Sequence, residues 1–198
     1  MSARTVAYFA DADISFPTGN ALVFAEIDQV FKDTPTRLSL IGNYLEGIKA
    51  TVFRQTQFAE FELRMHEMAQ KGEPITGDAL AKLYLDITRR YYGHDQKVTI
   101  VDDYIAHEWS FIPHFYRNFY VFQYATSFTA AEALSAKVLS GDQAATKRYL
   151  TFLSAGGSKY PIELLKDAGV DMTTDEPLDL TIRRMNEVMD ETEKLLPK

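Results

Sequence analysis

The sequence contains no cysteine. Disulfides are therefore excluded, and so is thiolate chemistry, whether catalytic or metal-binding; the composition suits a reducing cytoplasm, and a cytoplasmic location is expected. No apolar run is long enough to cross a bilayer, so no membrane partner is expected. The first residues, MSARTVAYFADADISF, lack the apolar stretch of a secretory leader. There is no basic excess either. Lys and Arg total 21 against 28 Asp and Glu, a net charge of -7, which argues against a nucleic-acid partner. A G-x-S-x-G nucleophile elbow is missing. So is H-E-x-x-H, the helical zinc motif. His66–Gln70 (HEMAQ) and His107–Phe111 (HEWSF) begin like it but put glutamine and phenylalanine where the second histidine belongs. No repeat or low-complexity tract occurs.

What is present is 198 residues, 46% of them hydrophobic, enough for one substantial core. The periodicity is helical throughout, and the expected architecture is all-α and multi-helical. Residues 1–34 match that pattern poorly and read as a separate N-terminal segment, with a short helix over Ala21–Phe31 capped by Asn20. From Thr36 to Gln70 the reading is one long helix. Leu38, Ile41, Leu45, Ile48 and Val52 step by three and four into an apolar stripe. Gly42 and Gly47 within it predict a kink or the close approach of another helix, and Gly72 ends it. The charged run Glu60–Glu67 reads as a solvated face. Thr76 caps a second helix, Gly77–Tyr92, with Leu80, Leu83, Tyr84 and Ile87 inward and Gly93 closing it. Asp102–Asp103 starts or caps another element. Later helices are expected over Gln143–Leu153 behind Asp142, over Ile162–Asp167 behind Pro161, and over Pro177–Leu196. Thr173 and Glu176 have capping-box spacing for the last of these. Ala155–Gly156–Gly157–Ser158 is either a tight turn or an anion-binding helix start.

The chemistry-bearing stretch is Tyr104–Phe128, YIAHEWSFIPHFYRNFYVFQYATSF. It holds two of the four histidines and the only tryptophan. Pro113 breaks it, and a long helix is expected from near His114. On such a helix Tyr116, Tyr120, Tyr124 and Phe128 would form one aromatic stripe, with His114 at the positive end of the dipole. A stripe of this kind is ordinarily core. Three of its members carry hydroxyls, however, and could equally line a polar-walled cleft that donates hydrogen bonds to a peptide carbonyl or an oxyanion.

Three collinear segments carry a family resemblance: YLEGIKATVFRQTQFAEFELRMHE (Tyr44–Glu67), HEWSFIPHFYRNFYVFQYA (His107–Ala125) and FLSAGGSKYPIELLKDAGVD (Phe152–Asp171). From about Pro35 to the C-terminus the chain resembles the oligoendopeptidase F group of thimet-type zinc peptidases, in their C-terminal, catalytic-domain portion. The resemblance implies a zinc-dependent endopeptidase that cleaves short peptides in a deep channel of an all-α fold. It implies catalytic roles for His114 and Tyr120 opposite the metal, and substrate contacts from Tyr116, Tyr124 and His107. The family's zinc is held by the H-E-x-x-H histidines and a downstream glutamate. This chain lacks the motif; for the glutamate, one register of the resemblance offers Glu26, and in the other Asn20–Ala21–Leu22 matches family sequence beyond that ligand, which is then missing. The expectation is thus a chain that supplies the substrate and oxyanion wall, holds no zinc tightly and is inactive alone. The alternatives are one half of a split peptidase, completed by an upstream half or a homo-oligomer, and a non-catalytic peptide-binding module.

Overall fold

The computed structural model describes residues 30–197. The expected helix Ala21–Phe31, all but its end, and the candidate ligand Glu26 lie outside them. Among the described residues there are seven α-helices and no strands: α1 (Thr34–Ile48), α2 (Arg54–Gln70), α3 (Gly77–Tyr91), α4 (Phe122–Leu139), α5 (Gln143–Ala155), α6 (Pro161–Asp167) and α7 (Glu176–Leu195). Two 3-10 helices, Asp103–Phe111 and Pro113–Tyr116, lie between α3 and α4. The all-α expectation holds.

The termini form where the sequence places the right caps. Asp33 and Thr76 accept the N–H groups of Thr36 and Ala79, and Asp142 accepts that of Ala144. Gly72, Gly93 and Gly169 follow α2, α3 and α6 at φ +71°, +61° and +94°. In each case the next N–H reaches back to a carbonyl of the last turn (Glu73 to Met68, His94 to Arg89, Val170 to Leu165), the closed left-handed turn that glycine permits. Two details differ from expectation. The long first helix is interrupted by a π-turn at Lys49–Phe53, which starts two residues past Gly47. The extra residue lets the apolar stripe of α2 start in a new phase. A Cβ at Gly42 or Gly47 would meet nothing within 4 Å among the described residues, so of the two readings of these glycines, a kink or a close helix contact, the interruption favours the first. At α7 the capping box does not form, because Thr173 spends its N–H and hydroxyl on Asp171 and Asp175 takes the N-cap position.

The chain divides into two compact units. One comprises the described residues up to Val52 together with those from Thr126 onward. In it α1 lies against α7 and α5 against α6. Ala130, Ala133 and Leu134 of α4 meet Phe152 of α5, Leu164 and Leu165 of α6, and Ala168 at its C-cap. Glu132 lies on this buried stretch of α4, hydrogen-bonded to Tyr44 and facing Arg184.

The other unit is Phe53–Ala125. Here α3 lies against α2 and against the Asp103–Phe111 3-10 helix. Phe58 and Phe61 of α2, Leu80, Tyr84 and Ile87 of α3, and Val121 form the core, bordered by Trp109 and Phe115. Phe61 is fully buried, and its ring meets Tyr84 edge-on at 5.1 Å and Phe115 at 5.3 Å. Burying one such ring contributes about 3 kcal/mol. That aromatic core fixes the segment which carries the candidate site.

Candidate functional site

The expected helix from His114 does not form. His114 lies in the short 3-10 helix Pro113–Tyr116, and α4 begins only at Phe122. The reason lies at Phe119, which takes φ +53°, a left-handed conformation no α-helix contains. Its N–H donates to the Glu62 carboxylate at 2.6 Å rather than to a carbonyl of its own segment. The single i+4 aromatic stripe is therefore absent, and His114 has no helix dipole behind it.

Three members of the predicted set nevertheless come together. The rings of His114 and Tyr120 stack with centroids 5.7 Å apart and 19° between planes. Tyr124, in the first turn of α4, stands edge-on to both, 6.0 Å from His114 and 5.5 Å from Tyr120. Its hydroxyl lies 3.4 Å from His114 Nε2 and 3.4 Å from the Tyr120 hydroxyl. Both distances exceed the usual hydroxyl optimum of about 2.8 Å. Tyr124 donates to the Tyr120 hydroxyl, and its role toward His114 follows the imidazole tautomer; contacts this long are weak enough to be redirected. The Arg117 guanidinium lies 5.7 Å above the Tyr120 ring. The result is a half-buried cluster that presents an imidazole and two phenols. It can donate hydrogen bonds to a carbonyl oxygen, more strongly as that oxygen gains charge.

The other predicted site residues do not join it. Tyr116 is 86% exposed, and Phe128, half-buried, lies further along α4. His107 is exposed, and only its backbone carbonyl is engaged, by Ser110. Its neighbour Glu108 instead turns into the fold, where Arg54 and the Tyr84 hydroxyl bind it. His66 stacks on Phe119 at 4.4 Å.

Glu62 is the residue that the sequence reading missed. It is 1% exposed, not on a solvated face. Burial pushes its carboxyl above the ordinary glutamate range, against the opposing pull of the Phe119 N–H and His66. A signal was present: Phe58, Phe61, Glu62 and Met65 follow the i, i+3, i+4, i+7 spacing of an inward stripe, with the glutamate inside it.

Metal ligands are a different matter. Among the described residues no three His, Asp or Glu side chains converge as a metal site. The zinc that the resemblance implies does not fit these residues, since His114 Nε2 faces a phenol and no such ligand group gathers around it among the described residues.

Comparison with known proteins gives this geometry a family. Residues 22–184 match Peptidase family M3, and the chain belongs to that family. The oligopeptidase PepF of Bacillus subtilis is 45% identical over 187 residues, an alignment that takes in 94% of this chain and 28% of that protein. The group B oligopeptidase PepB of Streptococcus agalactiae is 40% identical over 188 residues, covering 94% of this chain and 31% of that protein. The crystal structure of oligoendopeptidase-F from Enterococcus faecium superimposes with a TM-score of 0.89 at 40% identity, over 98% of this chain and 36% of that one. This chain thus spans less than a third of the length of these two curated relatives. The resemblance to oligoendopeptidase F is borne out, and with it the all-α fold. No helix among the described residues is long and apolar enough to cross a membrane.

Proposed function

We propose that this chain contributes the substrate-facing wall of an oligoendopeptidase F-type peptidase acting on short peptides in the cytoplasm. The observation that carries the reading is the convergence of His114, Tyr120 and Tyr124 into one half-buried donor cluster. Tyr120 and His114 donate to the scissile carbonyl oxygen as it gains charge, and Tyr124 orients them and contacts the peptide. Tyr116 and His107 face solvent and touch a bound peptide only outside that cluster. The activating zinc of the family is held by residues other than those described, so the chain alone binds peptide without hydrolysing it.

Two measurements test this. Calorimetric titration of the metal-stripped chain with zinc at neutral pH should show no tight site. Addition of a separately expressed segment bearing H-E-x-x-H should then yield peptidase activity that a chelator abolishes and His114→Ala removes. Chelator-sensitive hydrolysis by the chain alone would refute the reading. A second reading, peptide capture without any catalytic partner, rests on the same cluster. It would be favoured by peptide binding that persists under chelation while no added segment restores turnover.

A further inference from the structure

We propose that Glu62 and His66 of α2 are positioning residues for Tyr120, setting its place beside His114 by holding Phe119 in its left-handed turn. The inference rests on the reading of His114, Tyr120 and Tyr124 as the peptide-facing cluster and deepens it. Glu62 and His66 stand one helical turn apart on one face of α2. Glu62 is a carboxylate at 1% exposure with no Lys or Arg partner among the described residues, an unfavourable placement unless a hydrogen bond compensates it. The one hydrogen bond it makes there is to the Phe119 N–H, at 2.6 Å. Phe119 is one of two non-glycine residues described with positive φ, at +53°, a region bulky side chains rarely enter. The His66 ring lies 4.4 Å from the Phe119 ring and tilted 30° to it. Backbone and ring of residue 119 are thus gripped by two side chains from one helix. Tyr120 follows directly, and its ring stacks on His114 at 5.7 Å. Were Phe119 to relax into an ordinary helical conformation, α4 could extend backward and Tyr120 would rotate away from the imidazole.

The test uses the whole chain in three variants. Glu62→Gln keeps an acceptor, Glu62→Met keeps the volume but removes it, and His66→Ala removes the ring contact at a half-buried position. The first readout is the nuclear Overhauser cross-peak between the His114 and Tyr120 rings, with the methyl resonances of Leu80 and Ile87, in the core of the same unit, as a control for folding. Wild type and Glu62→Gln should show the cross-peak, and Glu62→Met should lose it while the control resonances stay in place. Retention of the cross-peak in folded Glu62→Met, or its absence from wild type, would overturn the proposal. If Glu62→Met does not fold, His66→Ala decides: a weakened cross-peak supports the grip and an unchanged one refutes it. The second readout is binding of a fluorescein-labelled heptapeptide. Glu62→Met should raise its Kd about tenfold, the equivalent of one oriented hydrogen bond, and Glu62→Gln should leave it within about twofold. If wild type binds no peptide, the functional reading fails, while the cross-peaks still decide whether Glu62 and His66 place Tyr120.

Discussion

Arg54 of α2 forms an ion pair with Glu108 of the Asp103–Phe111 3-10 helix, and Glu108's second oxygen accepts the hydroxyl of the fully buried Tyr84. The guanidinium also lies 4.9 Å above the Phe58 ring and 3.5 Å from the Tyr92 hydroxyl. One carboxylate thereby joins α2, α3 and the 3-10 helix that precedes His114. Burial raises the Tyr84 pKa, and its bond to Glu108 raises it further, so the phenol stays protonated and donates. Glu108→Ala leaves the Tyr84 hydroxyl and Arg54 without this acceptor. The pair is partly exposed, so the expected loss is about 1–3 kcal/mol rather than the larger value of a fully buried pair. A lower urea midpoint with an unchanged m-value would show it. Glu108→Gln should recover part of the loss, because the amide oxygen still accepts from Tyr84.

The buried carboxylate of Glu132 makes stability depend on pH. Burial holds the Glu132 carboxyl above its ordinary value of 4.5, and the Tyr44 hydroxyl and Arg184 only partly offset this. The folded chain therefore binds this proton more tightly than the unfolded chain does. The stability it contributes is whole below pH 4.5 and is lost as pH rises through the folded value. Glu132→Gln removes the titrating group, keeps an acceptor for Tyr44 and leaves Arg184 paired with Glu187. Urea unfolding at stepped pH should show wild type losing stability relative to Glu132→Gln from pH 4.5 upward. Parallel curves for the two proteins would show that Glu132 carries no such dependence.

Local signals in the sequence were enough for most of the helices, because each end depends on a residue whose effect is local. Thr76 and Asp142 cap, while Gly72, Gly93 and Gly169 terminate. The apolar stripes survive for the same reason, as Ile41 and Ile48 or Leu80, Tyr84 and Ile87 show. What stayed illegible depends on distant partners. Nothing in R-N-F-Y-V reveals that Phe119 turns left-handed, because the acceptor for its N–H stands on α2. The aromatic stripe was therefore assigned to a helix that does not exist, yet His114, Tyr120 and Tyr124 meet by another route. Charge misleads at Glu62, since a glutamate reads as surface unless its apolar neighbours are weighed against it, and Glu132 shows the same signal. In A-A-E-A-L the residues flanking Glu132 (Ala130, Ala131, Ala133 and Leu134) are all buried.

Glycine substitutions separate backbone strain from crowding. Gly72 and Gly93 both have positive φ, but a Cβ at Gly72 would meet nothing within 4 Å, whereas one at Gly93 would lie 3.0 Å from the Val98 Cβ. Gly72→Ala should cost about 1 kcal/mol from the left-handed conformation alone. Gly93→Ala should cost more, about 2 kcal/mol, unless the 93–98 turn opens. Gly42, in mid-helix with open space around it among the described residues, should behave oppositely. Gly42→Ala is expected to stabilise by about 0.5–1 kcal/mol through helix propensity. Thermal melts of the three variants check the order, and equal losses at Gly72 and Gly93 would show that the Val98 contact yields freely.

Tyr124→Phe distinguishes a cleft wall from a core. The substitution keeps the ring that stands edge-on to His114 and Tyr120 and removes only the hydroxyl placed 3.4 Å from each. Contacts that long contribute little to folding, so the loss of these two should cost less than about 0.5 kcal/mol. If the hydroxyls serve a developing oxyanion, they act mainly in the transition state, where a single donor is worth about 2–4 kcal/mol. In an enzyme completed with the metal-binding segment, Tyr124→Phe and Tyr120→Phe should each lower kcat/KM about 10- to 1000-fold, chiefly through kcat. The two losses should not add, because both phenols and His114 share one chain of contacts. Should Tyr124→Phe instead lower the melting temperature by several degrees and leave kcat/KM unchanged, the cluster is structural, and the peptide must be gripped elsewhere.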